Sequence, residues 1–128
     1  ENHSGPAKLY QLITNKLIST GISPNSLGFK YLRDAIILCY NDCSAINNIT
    51  KSIYTYIAKQ YSTTAECVEK AIRNCISNCL KGHGASKIKQ TLSLRFEMPV
   101  KFSNSQFIAI ITENIKSDSL TGTPLFCV

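Results

Sequence analysis

The chain has 128 residues, 44% of them hydrophobic and 17% charged, which suits one globular domain with a real core and argues against a disordered chain. Its formal charge of +6 and pI near 9.1 favour a polyanionic partner, nucleic acid or a membrane surface. It carries neither a long unbroken apolar run nor a basic start followed by an apolar stretch, so a membrane span and a signal peptide are not expected, and the expected location is cytoplasmic.

In chain order, the polar residues 1–5 read as a frayed start. Pro6 fits the first turn of a helix. Leu9, Leu12, Ile13 and Leu17 give that helix one apolar face, and Gly21 ends it. Ser23-Pro24-Asn25-Ser26 is a turn. A second helix is expected from about Leu27 or Gly28 to Asp42, with Tyr31, Leu32, Ala35, Ile36, Cys39 and Cys43 as its stripe. The polar run from Asn41 to Asn48 offers little but Ala45 and Ile46 for burial. Thr50 can cap the next helix, whose apolar side is Ile53, Tyr54, Ile57, Ala58 and Tyr61. A break near Thr55-Tyr56 would split it in two.

Residues 57–80 then read as a helix-turn-helix. Ser62-Thr63-Thr64 is the turn, and Thr63 with Glu66 has the spacing of a capping box. The long helix that follows buries Val68, Ala71, Ile72, Cys75, Ile76 and Cys79. Its other face carries Glu66, Glu69, Lys70, Arg73, Asn74 and Ser77, side chains that can reach base edges in a major groove. On periodicity alone an ordinary amphipathic helix with a solvated outer face is the better-supported reading. Gly82 and Gly84 are the expected stops. Lys81, Lys87, Lys89, Arg95 and Lys101 follow, suited to phosphates or simply to solvent.

Residues 85–90 can hold a short helix. Leu92 to Met98 alternates with period two and reads as an extended segment or small wing closed by Pro99. Ser103 and Gln106 form a second capping box, opening a helix over about 104–116 with Phe107, Ile108, Ile111 and Ile115 on its apolar face and Ile110 beside it. The tail from Ser117 to Val128 reads as loop, leaving an ordered core of about 7–117 in a single domain. The fold class is all-α, about six helices around the helix-turn-helix.

No glycine-rich phosphate loop, nucleophile elbow or metal-spaced cluster occurs. His3 and His83 are isolated. Cys39/Cys43 and Cys75/Cys79 sit four apart on predicted helices, where they serve as small hydrophobes, and all six cysteines are expected reduced. No catalytic residue, metal, cofactor or small-molecule substrate is expected, and an enzyme is not indicated.

The segments YLRDAIILCYND (31–42), ITKSIYTYIAKQYSTTAECVEKAIRNCI (49–76) and NSQFIAIITENI (104–115) together resemble the C-terminal DNA-binding effector domain of the stage-zero sporulation protein A family. The resemblance spans about residues 9–117. It implies binding to double-stranded DNA at a promoter box similar to TGTCGAA, tandem or homodimeric protomers, and contact with an RNA polymerase sigma factor. In full-length members a receiver domain precedes this one; none is present here, so a cut-out effector domain or a receiver-less relative is expected. The base-reading residues would be Glu69, Lys70, Arg73 and Asn74. The phosphate-facing residues would be Lys59, Thr63, Thr64, Lys81, Lys87 and Lys89.

Against the family's T-T-A-S-R-V-E-R-A-I-R-H-A-I, Glu69 and Arg73 agree. Lys70 and Cys67 replace arginines, Asn74 a histidine and Glu66 a serine. Lysine loses the planar fork that suits guanine. A carboxylate at Glu66 opposes the DNA backbone. The chain therefore reads as a divergent member with altered or weakened recognition. The alternative is a protein-interaction module that kept the fold and pairs through Phe107, Ile108 and Ile111.

Overall fold

Among the described residues the apolar periodicity of the sequence becomes six α-helices: α1 (Gly5–Ser19), α2 (Leu27–Asn41), α3 (Thr55–Gln60), α4 (Ala65–Leu80), α5 (Gly84–Thr91) and α6 (Asn104–Ser119). The computed structural model describes residues 5–81, 84–91 and 102–119, and among these the fold is all-α, without a strand. The alternating stretch 92–98, His83, Lys101 and the residues beyond 119 lie outside the described set.

α1 buries Ile13 and Leu17 and stops where expected. Gly21, at φ +100, takes the left-handed conformation. It lets Gly21 N–H reach Ile18 O at 3.0 Å and Ile22 N–H reach Leu17 O at 3.3 Å, the paired bonds of a Schellman stop. Buried Ile22 supplies the hydrophobic contact that accompanies this motif.

α2 is the central helix, packed by α1, α4 and α6. Tyr31, Leu32, Ala35, Ile36 and Cys39 lie inside as expected, but Cys43 does not. α2 ends at Asn41, and Cys43 is exposed on a 3-10 turn over Cys43–Asn48. Asp42 starts that turn by accepting from Ser44 N–H at 3.1 Å and from the Ser44 hydroxyl at 2.6 Å. These bonds, the hydroxyl's first, hold its carboxyl below the usual range.

The proposed break at Thr55-Tyr56 is instead a change of winding. Thr50–Tyr54 is one π turn leading without interruption into α3. Both the amide and the hydroxyl of Thr55 reach back to Thr50 O, the hydroxyl at 3.0 Å. That extra residue keeps Ile53, Tyr54, Ile57 and Ala58 all inside.

α6 opens on the Ser103/Gln106 box. Ser103 N–H donates to Gln106 Oε1 at 3.0 Å, and Gln106 N–H to Ser103 Oγ at 3.1 Å. The helix runs to Ser119, past the expected end at Lys116. Its apolar residues are spent on the core: Phe107 is 1% exposed, and Ile108 and Ile111 are 0%. They pack inward, chiefly in the face α6 turns to α2. The expected partner surface at Phe107, Ile108 and Ile111 is therefore corrected. Burying one stripe of an amphipathic helix on its own domain leaves none of it for a partner.

Candidate nucleic-acid interface

The turn between α3 and α4 is made by the backbone before any side chain is counted. Thr63 N–H donates to Ala58 O at 2.9 Å and Tyr61 N–H to Ile57 O at 3.1 Å, with Ser62 at φ 54 between them. This is a second Schellman-type stop, with serine where glycine is usual. Thr63 is still engaged in ending α3, so Thr64 is the N-cap of α4. Its hydroxyl oxygen accepts from Cys67 N–H at 3.2 Å. The expected Thr63/Glu66 box is therefore corrected: the cap falls one residue later, on Thr64, the Thr63 amide is taken by Ala58 O, and Glu66 stays exposed in the first turn of α4.

Two braces fix the turn against α2. The Tyr61 hydroxyl donates to Asp34 Oδ2 at 2.7 Å, and its ring stands edge-on to Tyr31 at 5.1 Å. Partial burial and the Asp34 carboxylate push the Tyr61 hydroxyl up to about 12, so it stays a donor at neutral pH.

α4 divides cleanly. Val68, Ile72, Cys75, Ile76 and Cys79 are buried. Glu66, Cys67, Lys70, Arg73, Asn74 and Ser77 are exposed, and Glu69 is half-buried at the edge. At 3.6 residues per turn, Glu66, Lys70, Arg73 and Ser77 fall within an arc of about 60°, with Asn74 and Cys67 on one flank and Glu69 on the other. Arg73 Nη1 meets Glu69 Oε2 at 3.3 Å, an exposed i, i+4 pair. The helix carries two acids and two bases, so its own charge cancels.

Cys67 is exposed at the third residue of α4. Hydrogen bonds from the Thr64 and then the Thr63 hydroxyl, with the Lys70 charge adding less, hold its thiol below the ordinary value. Cys75 and Cys79 on the inner face are pushed up by burial, and Cys39 on α2 reaches about 11 for the same reason, with Asp42 adding to it. Cys39, Cys43, Cys67, Cys75 and Cys79 are all free thiols.

The cations expected around this face are not all brought to it. Lys59, on α3, and Lys81, just past α4, are exposed, as is Thr64, while Thr63 is half-buried. Lys87 lies elsewhere. Its Cδ is 3.7 Å, and its Nζ 3.9 Å, from where a Cβ on Gly21 would sit, so it leans over the end of α1. It is also among the charges felt by Cys79, on the inner side of α4. Lys89 is half-buried on α5.

Sequence reasoning missed Asn104. Its side-chain nitrogen donates to the Tyr54 hydroxyl at 2.9 Å and to Glu69 O at 3.2 Å, joining the start of α6 to the second turn of α4. The Ser103/Gln106 box placed Asn104 at a helix start, but its partners lie far away in sequence.

Among the described residues no group of three or more His, Cys, Asp or Glu could hold a metal ion, and no helix is long and apolar enough to cross a membrane. Comparison with known families finds that the family described as sporulation initiation factor Spo0A C terminal matches residues 13–115.

Proposed function

Because the chain belongs to the Spo0A C-terminal family, a family of DNA-binding effector domains, we propose that it is a sequence-specific transcription regulator domain that reads a short promoter box through α4. The observation that carries this reading is the exposed arc of Lys70, Arg73 and Asn74 on a helix whose opposite side is core. Arg73 is the one planar fork on that face, matched to guanine O6 and N7, and Asn74 suits adenine. Lys70 adds a point charge. Glu69 steadies Arg73 and offers a carboxylate to a cytosine amino group. Lys59, Lys81, Thr63 and Thr64 flank the arc as phosphate ligands, Lys89 on α5 adds to the surrounding positive charge, and Lys87, which leans over the end of α1, is left out of this set. The RNA polymerase sigma factor and a second protomer on DNA are the protein partners in this reading.

A protein-interaction module is the second reading, and Glu66 favours it. An exposed carboxylate in the first turn sets a negative charge where helix N-termini usually meet phosphate.

Fluorescence anisotropy with random-sequence duplexes over a salt series separates the two. DNA binding gives an affinity that falls linearly with salt on logarithmic axes, and Lys59→Ala lowers that slope by about one. Absence of binding even at low salt would favour the interaction module.

A further inference from the structure

Asn104 is a buried polar side chain, 8% exposed, at the first residue of α6. Its amide meets the backbone carbonyl of Glu69 at 3.2 Å and the hydroxyl of Tyr54 at 2.9 Å. A carbonyl oxygen can only accept, so the amide nitrogen must face it, and the oxygen of the side chain points elsewhere. The hydroxyl belongs to the π turn that precedes α3, so three elements converge on one amide group. The carbonyl belongs to the residue whose carboxylate holds Arg73 at 3.3 Å.

A bond to the second turn of a helix does more than hold it in place. The inner face of α4 is packed mainly by apolar contacts, which are non-directional, and its directed contacts there are weak thiol bonds, Cys79 Sγ to Thr20 O at 3.1 Å and Cys75 Sγ with Ser26 Oγ at 3.7 Å, near the far end of the helix from Glu69. A directed hydrogen bond at Glu69 fixes the rotation and axial position of α4 against α6. Arg73 is one turn further on, and a bidentate contact with a base edge tolerates little misplacement.

We propose that Asn104 is a positioning residue for base recognition, setting the register of α4 so that Arg73 meets one base pair in a defined geometry. This rests on the reading of α4 as the DNA-reading helix. Asn104 touches no base. Its loss blurs which base is preferred at the Arg73 position while leaving the sequence-independent phosphate contacts in place.

The test is competition binding of the full chain against a panel of duplexes that vary every base pair of its selected site, with random-sequence duplex as the reference. Arg73→Ala first identifies the base pair whose preference depends on Arg73. Asn104→Ala is expected to lower discrimination at that pair about tenfold, within the range of a good bidentate contact. Its affinity for random duplex should stay within about twofold, since phosphate contacts supply that term. Tyr54→Phe, which keeps the ring and removes one of the two acceptors, should lower discrimination at the same pair by a smaller factor.

A merely structural role for Asn104 would reduce the active fraction and so weaken all duplexes in the same proportion. That pattern, or wild-type discrimination in Asn104→Ala, overturns the proposal. If Asn104→Ala does not fold, wild-type discrimination in Tyr54→Phe overturns it. A wild-type chain with no base preference at any position defeats the reading of α4 itself, a distinct result that also removes this inference.

Discussion

A Cβ added at Gly28 would stand 2.5 Å from the carbonyl oxygen of Ala71 and 2.7 Å from Cys75 Cβ. α2 and α4 therefore meet backbone against backbone at Gly28 and Ala71, with Cys75 alongside, and the approach sets how far the outer face of α4 stands from the core. Gly28→Ala must push the two helices apart. Overpacking of this kind costs about 1–3 kcal/mol, against about 1 kcal/mol gained from replacing a helical glycine. The clash involves backbone, which yields less than a side-chain tip, so the net expected effect is a loss of about 1–2 kcal/mol in urea denaturation. Stability equal to or above wild type would contradict the close approach.

The turn leading into α4 offers the opposite case. Ser62 sits at φ 54 with a side chain that gains nothing there from the left-handed conformation. Ser62→Gly should stabilise the fold by up to about 1 kcal/mol, read as a rise in the urea midpoint without a change in slope. DNA affinity should stay as it was, because the backbone path is unchanged.

Glu66 is predicted to trade binding for stability. Its carboxylate favours the amino end of α4, an effect of about 0.3–1 kcal/mol at exposed sites. The same charge repels phosphate. Glu66→Ser should lower stability by that amount and raise affinity for every duplex about two- to fivefold. The gain should be uniform across sequences and shrink with salt. A gain confined to one base pair would mean that Glu66 reads a base.

Cys67 reports directly on the face. A thiol with a lowered pKa carries more thiolate at a given pH, so its alkylation by iodoacetamide should rise and level off at lower pH than for a free cysteine. It should be modified ahead of Cys39, Cys75 and Cys79, whose thiols are raised by burial. Thr64→Ala removes both the cap and the first of the hydrogen bonds to that thiol. It should cost about 1 kcal/mol of stability and move the Cys67 profile toward higher pH. Bound duplex should slow labelling at Cys67 alone, by peptide mass spectrometry. Undiminished labelling at saturating DNA would place the duplex elsewhere.

The helices were legible because a period of 3.6 survives whatever the tertiary contacts are. The stripe of α4 and the Ser103/Gln106 cap needed only local spacing. Where a reading depended on what a segment meets, spacing was not enough. Thr63 and Thr64 are interchangeable as caps until Ala58 O claims the Thr63 amide. The stripe of Phe107, Ile108 and Ile111 looks the same whether a core or a partner covers it, and the core does. Gly28 and Asn104 act on residues far along the chain, so no local pattern marks them. The turning of Lys87 toward Gly21 likewise rests on a contact far along the chain.

The exposed arc of α4 is proposed to read DNA sequence. Selection from a random duplex pool by the full chain, sequenced over successive rounds and repeated with Arg73→Ala, tests it most directly. The wild-type chain is expected to enrich one short box, and Arg73→Ala to lose preference at a guanine-containing pair while still retaining duplex DNA. A pool that stays unenriched, or a box read identically by both proteins, would contradict it.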